Sequence, residues 1–333
     1  MRALAAVALC VLIAGCAPQI APPGTRLSTP SLSEDMFITA DGLQLPVRRW
    51  LPAQPPRGVV LAVHGFNDYS KSFDKVPDAP GVGPTLADKG YAVFAYDQRS
   101  FGRSLNAGYW PGGDQLANDF KDFVGVLSQT YPEVPVYAIG VSMGGAVLIS
   151  ALASDTPPPV RAVVLVAPAV WGREAMPLLY TATLWLGAHT MPWAKPSGQS
   201  LGRLASDNIE MLRDASRDPL FIKDTRIDSI YGLTNLMDQA LANIGAVTVP
   251  TLYIYGANDE IIPKNATEKA LARFLNAQPE RRFGFYENGW HMMLRDLQAE
   301  TVLSDVASFF ADPAQPLPSG ADLEPLSRFN AAQ

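Results

Sequence analysis

Val136-Tyr137-Ala138-Ile139-Gly140-Val141-Ser142-Met143-Gly144-Gly145-Ala146-Val147-Leu148-Ile149 is the stretch on which the reading of this chain turns. Its first four residues are an uninterrupted apolar run, the pattern of a strand buried on both faces. Its last residues open a helix-like segment over about Met143-Ser154. Between them stands G-x-S-x-G, which puts Ser142 on the turn from strand to helix. The flanking glycines permit that turn where a Cβ would clash with neighbouring backbone, and the serine is expected to be held strained with its hydroxyl presented. The helix N-terminus beneath it favours developing negative charge. A Gly-rich turn with an ordinary N-capping serine has the same composition; the strand before and the helix after favour a nucleophile.

Working outward, apolar runs recur at Gly58-Val63, Tyr91-Tyr96, Val160-Val166 and Thr251-Tyr255, with a last candidate at Arg282-Tyr286. Helix-like segments lie between them, for example around Gln115-Gln129. Such alternation predicts an α/β fold with a mostly parallel central sheet flanked by helices. Met36-Ala40 and Leu43-Trp50, split by Asp41-Gly42, predict an antiparallel hairpin in front of it. The alternation breaks over residues 170–246, where apolar residues fall at helical spacing. That stretch reads as an inserted helical lid, leaving 36–169 and 247–311 as the core. A helix is expected from roughly His291 to Phe310, then a Pro-rich tail over 312–333 that lies on the surface or is loose.

With 48% hydrophobic and 17% charged residues among 333, the chain carries enough apolar surface for a sizeable core. A formal net charge of -6 and the lack of any Lys/Arg run exclude nucleic acid as a partner, because phosphate binding needs a basic face.

Arg2 precedes an apolar stretch, Ala3 to Ala14, shorter than the roughly 20 residues of a spanning helix. It ends Leu12-Ile13-Ala14-Gly15-Cys16, which resembles a bacterial lipoprotein signal. The resemblance implies removal of residues 1–15, lipidation of Cys16, and a lipid-anchored protein of the bacterial cell envelope, on the periplasmic or outer-membrane side. An ordinary secretory leader with an incidental cysteine shares the charged start and short apolar core. Residues 16–35, rich in Pro, Ser and Thr, are expected to form an extended tether. The other cysteine is Cys10, so neither a disulfide nor a cysteine metal site is available to the folded body.

A serine hydroxyl needs a base, and the histidines are His64, His189 and His291. His64, in His64-Gly65-Phe66-Asn67 at the end of a buried strand, is placed to shape an oxyanion hole. His189 falls in the lid and reads as a packing or surface residue. His291 lies after the last strand, completing the order Ser, Asp/Glu, His, and an imidazole suits general-base work. For the acid, Asp259 in the loop after Thr251-Tyr255 is preferred, since its short carboxylate reaches an imidazole Nδ1-H while Glu260 points away. A turn or capping role for Asp259 is the alternative, and Asp296 is a weaker candidate. The oxyanion donors are expected to be the backbone N-H groups of Phe66 and Met143. Tyr96 to Ser104 reads as a hydrogen-bonded loop that braces the site.

His64-Gly65-Phe66, the Asp97-Gln98-Arg99 loop with Gly102 and Ser104, Ser142-Met143-Gly144-Gly145, the Gly256/Asp259 pair and His291 together resemble the monoacylglycerol lipase and lysophospholipase branch of the α/β-hydrolases, related to the serine aminopeptidases. The resemblance runs from about Gly58 to Phe310. It implies the α/β-hydrolase fold, a triad of Ser142, Asp259 and His291, no metal or organic cofactor, and a helical cap over an acyl pocket. Val141 stands where many members have His, and Ser100 where Gly is common. Trp171, Tyr180, Trp185 and Trp193 give the lid more aromatic surface than a water-covered helix carries, which suits an acyl pocket, packing onto the core, or a membrane interface. A single-chain acyl ester is the expected small-molecule substrate. A serine aminopeptidase or amidase on the same triad, and a non-catalytic envelope binding protein, are the alternatives.

Overall fold

The strand that leads into Ser142 is one of nine that form a single sheet in the computed structural model, which describes residues 17–196, 202–276 and 281–332. The strands are β1 (Ser31–Leu32), β2 (Met36–Ile38), β3 (Gln44–Trp50), β4 (Gly58–Val63), β5 (Tyr91–Tyr96), β6 (Val136–Val141), β7 (Val163–Val166), β8 (Thr251–Gly256) and β9 (Arg281–Tyr286). They lie in the order β1-β2-β3-β5-β4-β6-β7-β8-β9. From β5 to β9 all neighbours are parallel, and β1, β2 and β3 add an antiparallel edge. Every residue of β4, β5, β7 and β8 is buried, which is why these segments read as continuous apolar runs rather than alternating ones.

Helices α1 (Val82–Asp88), α2 (Gly113–Thr130), α3 (Met143–Leu152), α7 (Lys264–Leu275) and α8 (Ala299–Ala311) belong to the α/β alternation. The insertion supplies α4 (Leu178–Thr190), α5 (Ile209–Arg217) and α6 (Ile227–Asn243). Leu236, Met237, Ala240 and Leu241 of α6 are buried in the same core cluster as α2 and α3. The last helix of the insertion is therefore structural core, and the earlier part is the cap.

Three expectations are changed or narrowed. The helix expected from His291 begins only at Ala299, because residues 290–298 are held in turns: Asp296 accepts from the N-H groups of Trp290 and Gln298. Of the two readings of the tail, it takes the surface one and is docked there. Leu317, Ala321 and Phe329 are buried, a helix α9 forms at Pro325–Ala331, and Phe285 N-H donates to Ala321 O, so the tail covers the exposed edge of β9. The tether too lies along the body: Ile20 bridges to Trp110 in parallel register, Gly24 N-H donates to Asp41, and Ser31–Leu32 joins the sheet. Cys16 and the apolar run before it lie outside the described residues.

Candidate active site

Ser142 sits between β6 and α3 with φ 52 and ψ -114, a conformation L-residues rarely adopt. Surrounding structure holds it there. Its N-H donates to Val166 O at 2.9 Å, and its carbonyl accepts from Ala169 N-H at 2.9 Å. Gly144 must be glycine, because a Cβ would stand 2.1 Å from the carbonyl oxygen of Val63 at the end of β4. The same close approach brings the loop after β4 over the serine, where a Cβ on Gly65 would lie 3.4 Å from Ser142 Cβ. The N-H groups of Phe66 and of Met143, the first residue of α3, have no backbone acceptor among the described residues.

Asp259 and His291, 32 residues apart, meet at 2.9 Å between Oδ2 and Nδ1. The other carboxylate oxygen accepts from Ile261 and Ile262 N-H at 2.8 and 2.9 Å, which fixes the plane of the group. Their two loops touch through glycine. A Cβ on Gly256 would lie 2.3 Å from the Gly289 carbonyl, and Asn258 N-H donates to Gly289 O. With Nδ1-H given to the carboxylate, the free Nε2 is the acceptor of the neutral imidazole. His291 and Ser142 line one cavity. Glu260 points elsewhere, accepting from Leu204 N-H in the cap.

His64 ties the loop after β4 to the loop after β5. Its Nδ1 faces Gly65 O at 2.8 Å, and its Nε2 accepts from Gln98 N-H at 2.9 Å, so the tautomer is set with the proton on Nδ1. Complete burial lowers its pKa and keeps the ring neutral. Gln98 returns a bond to His64 O, while Arg99 spans Asp41 and Asp119 at 2.8 and 2.9 Å. His189 is remote from this chemistry: it stacks on Trp185 and faces that residue's carbonyl.

Ser100 is buried with φ 70, and its hydroxyl has no partner among the described residues. The left-handed conformation disfavours any side chain there. Ser100→Gly is expected to raise the unfolding free energy by about 1 kcal/mol in chemical denaturation, after the greater freedom of glycine in the unfolded chain offsets part of the relief.

Asp296 does not reach the imidazole. Burial pushes its carboxyl up to about 7, although it accepts from Trp290 and Gln298 N-H. A carboxyl raised in the folded state binds more protons there than when unfolded. Its contribution is thus present below about pH 4 and lost as pH rises through about 7. Wild type should lose on the order of a few kcal/mol between these limits relative to Asp296→Asn, a difference readable from denaturant melts at several pH values.

The cavity has a volume of about 930 Å³ and is walled by apolar residues of the cap and core, among them Phe66, Trp171, Met176, Tyr180, Leu184 and Met237. That is ample for an acyl chain. One polar feature of its wall escaped the sequence reading. Arg295 reaches Asp68 at 2.5 Å, and the two are buried. They stand 227 residues apart, so no spacing could have paired them.

The fold and the serine turn define the molecule as an α/β-hydrolase. The sequence model described as serine aminopeptidase, S33 matches residues 54–298, and the chain belongs to that family. Among curated relatives it is 26% identical over 300 residues to the monoacylglycerol lipase of Mycolicibacterium smegmatis, covering 83% of this chain and 96% of that one. It is also 26% identical over 296 residues to the rat (Rattus norvegicus) monoglyceride lipase, covering 84% and 90%. Among solved structures, a soluble variant of Saccharomyces cerevisiae monoglyceride lipase in complex with a substrate analog superposes with a TM-score of 0.69 at 19% identity, over 88% of this chain and 98% of that one. The Paleococcus ferrophilus monoacylglycerol lipase gives 0.64 at 18% identity, over 81% and 99%.

Proposed function

We propose that this chain hydrolyses carboxylic esters of single-chain lipids, of the monoacylglycerol or lysophospholipid kind, through an acyl-enzyme at Ser142. The observation that carries the reading is a serine on a strained elbow, facing an apolar cavity of about 930 Å³ that also holds an imidazole already oriented by a carboxylate. His291 Nε2 takes the proton as Ser142 Oγ attacks the ester carbonyl. The N-H groups of Phe66 and Met143 stabilise the oxyanion. Asp259 keeps Nδ1 protonated and stabilises the imidazolium. The alcohol leaves with the proton from His291, and water, activated by the same imidazole, releases the fatty acid and restores the serine. The names of the relatives, monoacylglycerol and monoglyceride lipases, support the substrate class. The family description, serine aminopeptidase, supports an amide-cleaving alternative on the same residues.

A matched panel separates these readings: glycerol esters of graded chain length, lysophospholipids and amino-acid amides, assayed on one preparation. Turnover of the long-chain glycerol esters with inert amides is expected; amide turnover with inert esters would overturn the lipid reading. The signal-like segment ending in Cys16 supports a lipid anchor in a bacterial envelope. Cys16→Ser is expected to release the protein from the membrane fraction, and unchanged membrane association would count against lipidation as the tether.

A further inference from the structure

The C-terminal tail goes further than covering a sheet edge requires. The bond from Phe285 N-H to Ala321 O meets the edge of β9, and Arg328 clamps the same stretch by donating to Phe285 O and Ala321 O at 2.9 and 2.8 Å. Beyond Ala321 the chain goes on to form α9, whose seven residues are too few to hold a helix unaided. Phe329 docks it. This ring is buried, its centroid 5.6 Å from that of Phe283 and 5.7 Å from those of Phe285 and Tyr255, each pair edge to face. It thereby reaches past β9 to β8, the strand whose end carries the Asp259 loop. Lys264, where that loop runs into α7, adds a second hold: its ammonium stands 5.2 Å from the Phe329 ring and donates to Ala332 O.

Tyr255 passes this contact on. Its buried hydroxyl donates to Ile262 O at 2.9 Å. Burial, and the negative charge of Asp259, raise its pKa, so the hydroxyl remains a donor. Ile262 N-H, with that of Ile261, holds Asp259 Oδ1, the oxygen that does not face His291. Ile262 is thus gripped at both its backbone groups, the carbonyl by Tyr255 and the N-H by Asp259. Four contacts lead from Phe329 to the imidazole: ring on ring, hydroxyl to carbonyl, N-H to carboxylate, and carboxylate to Nδ1. Among the described residues that line the cavity, none belongs to the tail.

We propose that Phe329 and Tyr255 are positioning residues for the catalytic acid: the docked tail fixes Tyr255, and the Tyr255 hydroxyl fixes the Ile262 backbone that sets the plane of the Asp259 carboxylate. The proposal rests on the triad reading above. A carboxylate free to turn would still lie near the imidazole, but it would hold Nδ1-H in several orientations, whereas proton transfer needs the ring held to a fraction of an ångström. The tail, which lies beyond residues 54–298, is then part of the support of the acid as well as a cover for β9.

The test measures kcat and KM for 4-nitrophenyl butyrate on the full chain, with a thermal melt of each variant. Tyr255→Phe keeps the ring against Phe329 and removes the hydroxyl alone; kcat is expected to fall about tenfold with KM changed by less than about threefold. Phe329→Ala should give a similar fall, and Phe329→Met, which returns apolar volume, should regain most of it. Where Phe329→Ala does not fold, Tyr255→Phe decides the matter alone. In an Asp259→Asn background Tyr255→Phe should cost less than about twofold, because the group it positions is gone. A lowered melting temperature with unchanged kcat makes the tail a structural element only and overturns the proposal. So does a tenfold loss that persists beside Asp259→Asn. Full activity of Asp259→Asn itself would remove the triad reading and this proposal with it. An inactive Asp259→Asn beside fully active Tyr255→Phe and Phe329→Ala would remove the proposal and leave the triad standing.

Discussion

Ser142→Ala will lower kcat for a reactive ester by about a millionfold while the protein folds as before. The size of the loss follows from the role: without the hydroxyl there is no acyl-enzyme, and only the oxyanion donors and substrate binding remain to assist water. Folding should be spared because the elbow is held by backbone bonds, from Ser142 N-H to Val166 O and from Ala169 N-H to Ser142 O, which alanine keeps. Steady-state kinetics together with a thermal melt read both parts. Retention of more than about a hundredth of the activity in a clean preparation would point to another nucleophile.

Asp259→Asn is expected to cost about ten thousandfold in kcat, with far less effect on KM. An asparagine still offers an oxygen to the Ile261 and Ile262 N-H groups, so the loop keeps its shape. Its amide then faces His291 Nδ1 with hydrogens where the carboxylate offered a lone pair. The imidazole answers by moving its proton to Nε2, and in that tautomer it cannot accept from the serine. A fall in kcat without a change in melting temperature identifies this loss of tautomer control. If the loss matches that of Asp296→Ala, the acid assigned here is the wrong one.

Much of the site was legible because it is written in local sequence. The strand, turn and helix around Ser142 occupy adjacent residues, and buried parallel strands announce themselves as apolar runs, as β4, β5, β7 and β8 do. The meeting of His291 with Asp259 was expected from chain order and strand-end placement, both of which the topology imposes. What stayed hidden depends on contacts across the fold. Arg295 and Asp68 pair over 227 residues with no periodicity to link them. The helix expected at His291 starts later because a buried carboxylate, Asp296, takes up the turn's N-H groups. The Pro-rich ends read by composition as an extended tether and as a surface or loose tail, yet each covers something: the tail lies on the edge of β9, and residues 17–21 lie against Trp110 and the start of α6. Composition reports what a segment lacks for a core of its own and cannot report an edge it is able to cover. Ser100 is a different case: its left-handed backbone favours glycine, yet the chain places a serine there.

The proposed proton relay between residues 142 and 291 is tested most directly by the rate at which a fluorophosphonate modifies the protein, with the adduct mapped by peptide mass spectrometry. A single adduct on Ser142 is predicted, forming orders of magnitude more slowly in His291→Ala. An adduct on another residue, or an unchanged rate without the imidazole, would contradict the account.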